Sequence, residues 1–291
     1  MRGRVRPRPQ QGARRAAARG RRPSLRWPTR AARRRWLRRL RRVGPAGRLI
    51  AGVLLLAIVA LAINGVYQVL RKPTELFFPV SGVLAKTPPE TWREYGPAFQ
   101  RYSTPMVTAE LLAALAQVEG SGNPLVRTYW RWSWAPRPFD VYRPASSAVG
   151  MYQITDGTFA EARHYCIHDH ALAREGPWDD WHSCWFNSLY MRVVPRDAIE
   201  LTAAYLDLKV NTILAQRADH EPGALDTQHL AAVIHLCGAG AAVLYAQHGF
   251  RFAAGQHCGA HDPREYLRRV DDMHSVFARL ARAESEGLTP Q

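Results

Sequence analysis

From Leu49 to Leu70 the chain is apolar for about 22 residues, interrupted only by Asn64 and Gln68. At about 1.5 Å of rise per residue, a helix of this length spans roughly 33 Å, close to the hydrocarbon thickness of a bilayer. A cleaved signal peptide is the competing reading. The long basic region before the segment argues against it, as does an apolar run longer than a typical signal core. Arginines crowd the N-terminal side of the segment, so the preceding tail is expected in the cytoplasm and the remainder exported. Arg71 and Lys72 pull weakly the other way. The reading is a single-pass anchor, and it confines any globular fold to the chain beyond it.

Residues 1–48 hold 19 arginines and no lysine or acidic residue. Taking their +19 from the whole-chain net charge of +16 leaves −3 for the rest. The basicity therefore belongs to the tail. A like-charged run rich in Pro, Gly and Ala cannot bury a core and is expected to be disordered. A nucleic-acid arm, a tail resting on anionic lipid and a start codon assigned too far upstream would all give this composition.

Residues 49–70 are then the transmembrane helix, 71–87 a linker, 88–284 one domain and 285–291 a short tail. Within the domain, PETWREYGPAFQRYS predicts a first helix on Trp92, Tyr95 and Phe99, with Gly96-Pro97 expected to interrupt it. Ser103, Thr104 and Pro105 predict the start of a second helix running to about 119. Further helices are predicted near 156–165, 196–216, 228–236, 240–248 and 263–284, the last capped by Asp262 with Glu265 three residues on. No long alternating segment is present. The fold class expected is mainly α, with at most a small hairpin between 125 and 145.

The second helix carries the chemistry. Leu111, Leu115 and Val118 recur at helical spacing, and Gly120 and Gly122 are expected to end the helix. Glu119 shares a stripe with Leu112 and Leu115, at the negative end of the helix dipole. Partial burial there favours a carboxyl that holds its proton, the state required of an acid catalyst of glycosidic cleavage. An ordinary surface glutamate at a helix end would look the same in isolation. A second motif, SSAVGMYQIT at Ser146–Thr155, accompanies it.

Together these motifs resemble the soluble lytic transglycosylase family, relatives of goose-type lysozyme. Glu119, Asn123 and Pro124 match the family's E-S-x-x-N-P. Ser147, Gly150, Gln153 and Ile154 match its S-x-x-G-x-x-Q-[LI]. IELTAAYLDL around Tyr205 is similar to its tyrosine-bearing helix, and DPREYLRRV at Asp262–Val270 to its closing E-T-x-x-Y-V-x-x-V, with Asp262 in place of glutamate. The resemblance covers roughly residues 104–275. It implies a lysozyme-like catalytic domain behind the single N-terminal transmembrane helix, with Glu119 as the catalytic acid and Ser147, Gly150, Gln153, Tyr205, His235 and Asp262 around the substrate. Together with the anchor reading, the expectation is a domain held in the periplasm by the inner membrane and acting without cofactor or metal.

Two features depart from the family. An aromatic-rich insertion, LVRTYWRWSWAPRPFDVYRPA, separates Glu119 from Gln153. The family's A-Y-N-x-G reads IHLCG, placing His235 at the tyrosine and Leu236 at the asparagine. His235 either takes over a contact to Glu119 or substrate, or is a core histidine satisfied by backbone. In the insertion Trp130, Trp132 and Trp134 alternate, so an extended strand puts them on one face. That face either lines a glycan groove or folds the insertion onto the domain. Trp178, Trp181 and Trp185 carry the same ambiguity, with packing favoured.

All four cysteines, Cys166, Cys184, Cys237 and Cys258, lie beyond the apolar segment. An even count on the oxidising side argues for two disulfides. Of the three pairings, Cys166–Cys184 with Cys237–Cys258 is favoured because each closes a short local loop. Histidines crowd the same segments, in HYCIHDH at His164–His170 and at His182, His257 and His261. Two cysteines and two histidines could hold zinc, but no spacing is finger-like.

Three functional readings follow. The first is a membrane-anchored lytic transglycosylase that cleaves the MurNAc–GlcNAc bond of peptidoglycan glycan strands to leave a 1,6-anhydro sugar. The second is a hydrolytic muramidase, which needs a water-activating partner; Asp140 is its best candidate, ahead of Asp156. The third is a peptidoglycan-binding scaffold without turnover. Each is compatible with service in an envelope-spanning secretion or conjugation apparatus, and no nucleic acid is expected to bind the catalytic domain.

Overall fold

The computed structural model describes residues 44–77, 81–134, 137, 139–216 and 222–287. The expectation of disorder for the arginine-rich tail falls on residues outside that set. Two compact units are distinguished, residues 1–59 and 60–291. In the first, residues 45–59 are helical and their apolar side chains are exposed. They belong to helix α1, Pro45–Arg71, which is long and apolar enough to cross a membrane.

The second unit is mainly helical. Helices α2 (Pro88–Tyr102), α3 (Ala109–Gly120), α4 (Asp156–Ala162), α5 (Pro195–Ala215), α6 (Ala224–Gln247) and α7 (Pro263–Ser285) enclose one core. Phe99, Leu112, Leu115, Tyr152, Ile199, Leu206, Leu230 and Phe277 are fully buried in it. Two antiparallel hairpins complete the described unit. Strand β1 (Trp130–Trp132) pairs with β2 (Tyr142–Pro144), with Trp130 opposite Pro144 and Trp132 opposite Tyr142. Strand β3 (Tyr165–His168) pairs with β4 (Ala171–Arg174). The small hairpin expected in the insertion is therefore present. Helix α6 also passes the length and apolarity test for a membrane span, but nearly half of its apolar window is packed inside the domain, where it serves as a core helix.

Two local expectations are corrected. Helix α2 runs through Pro97 without a break. The carbonyl of Arg93, left without its usual N–H partner, belongs to an exposed residue, so water can satisfy it. Helix α3 does not start at Ser103–Pro105. Ser103 caps the end of α2, Thr104 closes a turn by accepting from the Val107 N–H, and Thr108 caps α3 by accepting from the Leu111 N–H at 3.2 Å. Within the stretch 71–87, expected to be a linker, several described residues bond to the domain or fold locally. Pro73–Phe77 forms a 3₁₀ turn, Lys72 Nζ donates to the Ala148 carbonyl at 2.8 Å, and the Lys86 N–H donates to the Ser121 carbonyl at 2.8 Å.

Helix α6 contains the two predicted segments in one element, with a sharp bend at Gly238, whose φ of 79° and ψ of 165° no L-residue adopts comfortably. The bend falls beside Cys237, which is bonded to Cys258 across a sequence separation of 21. Cys166 and Cys184 form the other disulfide, across 18. Both pairs are those favoured from the sequence.

Candidate active site

The site forms where the C-terminal end of α3 meets the loop 146–155. Helix α3 ends in a left-handed residue, but Ser121 takes that conformation (φ 50°) and not Gly120. Gly120 has a different task. A Cβ there would lie 2.8 Å from both the Cα and the carbonyl oxygen of Met151, so only glycine lets the loop backbone press against the helix. From the other side the Tyr152 hydroxyl donates to the Leu112 carbonyl at 3.1 Å inside the core. Gly122 (φ 62°) follows, and its missing side chain makes room for Thr91. The spacing that resembles E-S-x-x-N-P thus closes a helix and clears space for a second segment.

The loop itself is tightly folded. Val149 and Ile154 exchange hydrogen bonds, and between them Gly150 (φ 79°) and Gln153 (φ 49°) turn the backbone through the left-handed region. A Cβ on Gly150 would meet the Arg192 carbonyl oxygen at 2.3 Å. The Gln153 side-chain amide donates to the carbonyls of Gly150 (2.9 Å) and Val126 (3.3 Å), which fixes its direction. The Ser147 hydroxyl accepts from the Asp156 N–H at 3.1 Å and so supports the loop.

Glu119, partly buried, has two neighbours from distant helices. The Tyr266 hydroxyl, on α7, donates to Glu119 Oε1 at 2.7 Å. His235 Nε2, on α6, lies 3.8 Å from the same oxygen. Burial pushes the Tyr266 hydroxyl well above its ordinary range, and the adjacent Glu119 carboxyl pushes it further, so the phenol remains a donor. Burial also lowers the His235 pKa below 6.5, opposed by Glu119 and by a hydrogen bond to the Tyr152 backbone. The imidazole is thus neutral near pH 7. His235 is held by backbone, and it stands near Glu119 without a hydrogen bond to it.

His235 also lines a cavity of about 270 Å³ with Gln153, Tyr205, Thr158 and Thr202. Burial raises the Tyr205 pKa, and Lys209 Nζ sits over its ring at 5.5 Å. Thr202 Oγ1 is buried without a hydrogen-bond partner. Gln153, Tyr205 and His235, from the loop, α5 and α6, are therefore brought to one cavity; Glu119, on α3, is not among its lining residues and adjoins it through His235. A larger cavity of about 660 Å³ lies near the end of α1, among Lys72, Phe77, Arg143 and Arg192, and does not include Glu119.

Other expected site residues lie elsewhere. The Asp262 carboxylate caps α7 by accepting from the Arg264 N–H at 2.8 Å. Four residues on, Tyr266 reaches the glutamate. Tyr266 was not singled out from the sequence, although it stands at the tyrosine of the closing motif. Asp140 is buried and engaged by Gln68 Nε2 (2.9 Å), Arg71 (3.7 Å) and Arg137 (3.9 Å). Asp156 pairs with Arg192 at 2.8 Å. Trp130 is half-buried, with its Nε1–H donating to Glu75 at 2.8 Å, whereas Trp132 is exposed and Trp134 fully so. Trp178 and Trp181 are also largely exposed, and Trp181 stacks edge-on against Trp185 at 5.5 Å, so packing in the disulfide loop does not account for them.

One cluster of metal-ligating types occurs among the described residues, Cys166, His168 and Cys184. The two sulfurs are joined to each other and offer no thiolate, so the donor set does not suit a zinc ion. The chain matches no protein-family model and no curated protein sequence.

Proposed function

We propose that this chain is a membrane-anchored lytic transglycosylase of the lysozyme-like superfamily, with Glu119 as its single acid–base group. The observation that carries the reading is Glu119 at a helix end, with a neutral phenol donating to one carboxyl oxygen and a neutral imidazole nearby, beside a cavity edged by Gln153 and Tyr205. Because Tyr266 donates to Oε1, a transferable proton belongs on Oε2. Glu119 gives that proton to the glycosidic oxygen as the bond breaks. The resulting carboxylate then takes the proton of the muramyl 6-hydroxyl, which closes on the anomeric carbon as a 1,6-anhydro ring. No water-activating carboxylate is needed.

The hydrolytic alternative has less support. Asp140, its favoured base, is tied into ion pairs with Arg71 and Arg137, and Asp156 into one with Arg192. A scaffold without turnover would not need a carboxyl bonded by a neutral phenol with a neutral imidazole nearby. The anchor reading rests on α1, and an external domain on the arginine bias before it.

The test is digestion of purified sacculi by the full chain in detergent, with the muropeptide ends identified by mass spectrometry. Anhydromuramyl ends, one water lighter than hydrolysed ends, support the proposal. Glu119→Gln should abolish release and Asp140→Asn should leave the anhydro product unchanged. Reducing ends would establish the hydrolase, and binding without release the scaffold.

A further inference from the structure

We infer that the β1–β2 hairpin is a lipid-interface element, reaching from the outer hydrocarbon into the headgroup layer beside the last two turns of α1, and not part of the glycan site. The inference rests on the membrane-anchor reading of α1.

Asn64 and Gln68, the polar residues in the apolar segment, are both buried within the second unit. Their amides donate to the hairpin and its approach: Asn64 Nδ2 to the Tyr142 carbonyl, Gln68 Nε2 to the Phe139 carbonyl at 2.7 Å and to Asp140 Oδ1 at 2.9 Å. The rings of Tyr67 and Phe139 meet at 5.3 Å. Amide N–H groups facing hydrocarbon must find acceptors within the protein, and here the hairpin supplies them, while Asn64 Oδ1 is buried without a partner. It is therefore fixed against α1 itself.

That attachment sets its depth. Asn64 precedes Arg71, the end of α1, by seven residues, or about 10 Å along the helix axis. The headgroup layer on one side of a bilayer is roughly 6 Å thick. With the apolar span ending at Leu70, Asn64 stands about 9 Å and Gln68 about 3 Å inside the hydrocarbon edge, so a hairpin bonded to both reaches from the outer hydrocarbon into that layer. Its exposed side chains have the matching chemistry. Trp132 is 61% and Trp134 100% exposed, and Arg71 and Arg137, which pair with buried Asp140, keep 57% and 77% of their side-chain surface in solvent. Tryptophan with arginine at a bilayer boundary suits an anionic headgroup layer, the ring at the carbonyl level and the guanidinium on phosphate.

The alternative occupant, a glycan, lacks such continuity. The rings of Trp130 and Trp132 pack on Tyr142, and Trp130 donates to Glu75. None of these tryptophans lines the cavity that holds His235, Gln153 and Tyr205.

The test uses the full chain reconstituted in phosphatidylcholine–phosphatidylglycerol vesicles, with nitroxide lipids labelled either near the headgroup or at the acyl-chain end. The emission of Trp132 and Trp134 is isolated as the difference between wild type and W132F/W134F, whose far-UV circular dichroism and melting temperature should match the wild type. Because both side chains are exposed, W134F alone provides a second variant free of packing effects. The shallow label should quench about half or more of the difference emission and the deep label much less, as for interfacial tryptophan. A chain that floats with the vesicles after an alkaline wash, yet shows no shallow quenching, overturns the hairpin inference and leaves the anchor standing. A chain that does not float overturns both. Emission that responds to soluble glycan fragments and not to lipid would return the hairpin to the glycan site.

Discussion

The hydroxyl of Tyr266 donates to Glu119 Oε1 at 2.7 Å, across 147 residues of chain. One partner ends α3 and the other opens α7, so the bond exists only when those helices pack. It divides the carboxyl, holding one oxygen and leaving the other without that bond; in the proposed mechanism the second oxygen exchanges the proton.

Tyr266→Phe tests that division. Removing the hydroxyl leaves shape and burial intact but frees Oε1. A neutral hydrogen bond contributes about 0.5–1.5 kcal/mol net, so release of muropeptides should fall about twofold to tenfold. The melting temperature should move only a few degrees. A fall in activity matched by a fall in folded fraction would assign Tyr266 to packing alone.

Gly120→Ala tests the contact between the two leading motifs. Alanine is favoured over glycine in a helix by about 1 kcal/mol. Against this, the new methyl would lie 2.8 Å from Met151 backbone atoms, and overpacking costs about 1–3 kcal/mol. Backbone cannot swing aside as a flexible side chain can, so the clash should win and thermal denaturation should occur several degrees lower. A raised melting temperature would mean that the loop yields freely.

His235 makes stability depend on pH. Burial lowers its pKa in the folded chain below the ordinary 6.5, so the unfolded chain takes up the proton first. The resulting stability is complete above about pH 6.5 and is lost as pH falls through the lowered folded value. The nearby Glu119 carboxyl opposes the lowering and so softens this loss, and Tyr266 does not titrate in the window. The melting temperature of His235→Gln should therefore fall less between pH 7 and pH 5 than that of the wild type. Parallel declines would remove His235 as the cause.

Topology follows from the arginine bias. C-terminal fusions to a phosphatase active only outside the cytoplasm should be active, and fusions before residue 48 inactive. Release of a shortened soluble product by signal peptidase would show that the apolar segment is a cleaved signal.

Much of the chain's organisation was legible locally. The apolar run, the periodic helices, the short disulfide loops and the insertion hairpin each depend on residues near one another in sequence, where spacing and burial pattern carry the signal. The glutamate at a glycine-ended helix was legible for the same reason. Finer local features were less so: Thr108 and not Thr104 caps α3, and Pro97 is tolerated because the carbonyl it frees belongs to an exposed residue. The tertiary structure alone decided which side chains meet. Tyr266 and not Asp262 reaches Glu119, because capping turns Asp262 onto its own backbone while the next helical turn faces α3. Asn64 and Gln68, which interrupt an apolar pattern, are explained only by the hairpin carbonyls and the Asp140 carboxylate that accept from them, more than 70 residues away. Sequence patterns report the faces that a segment must bury. The partner on the other side is chosen by packing the whole chain at once, and no local spacing encodes it.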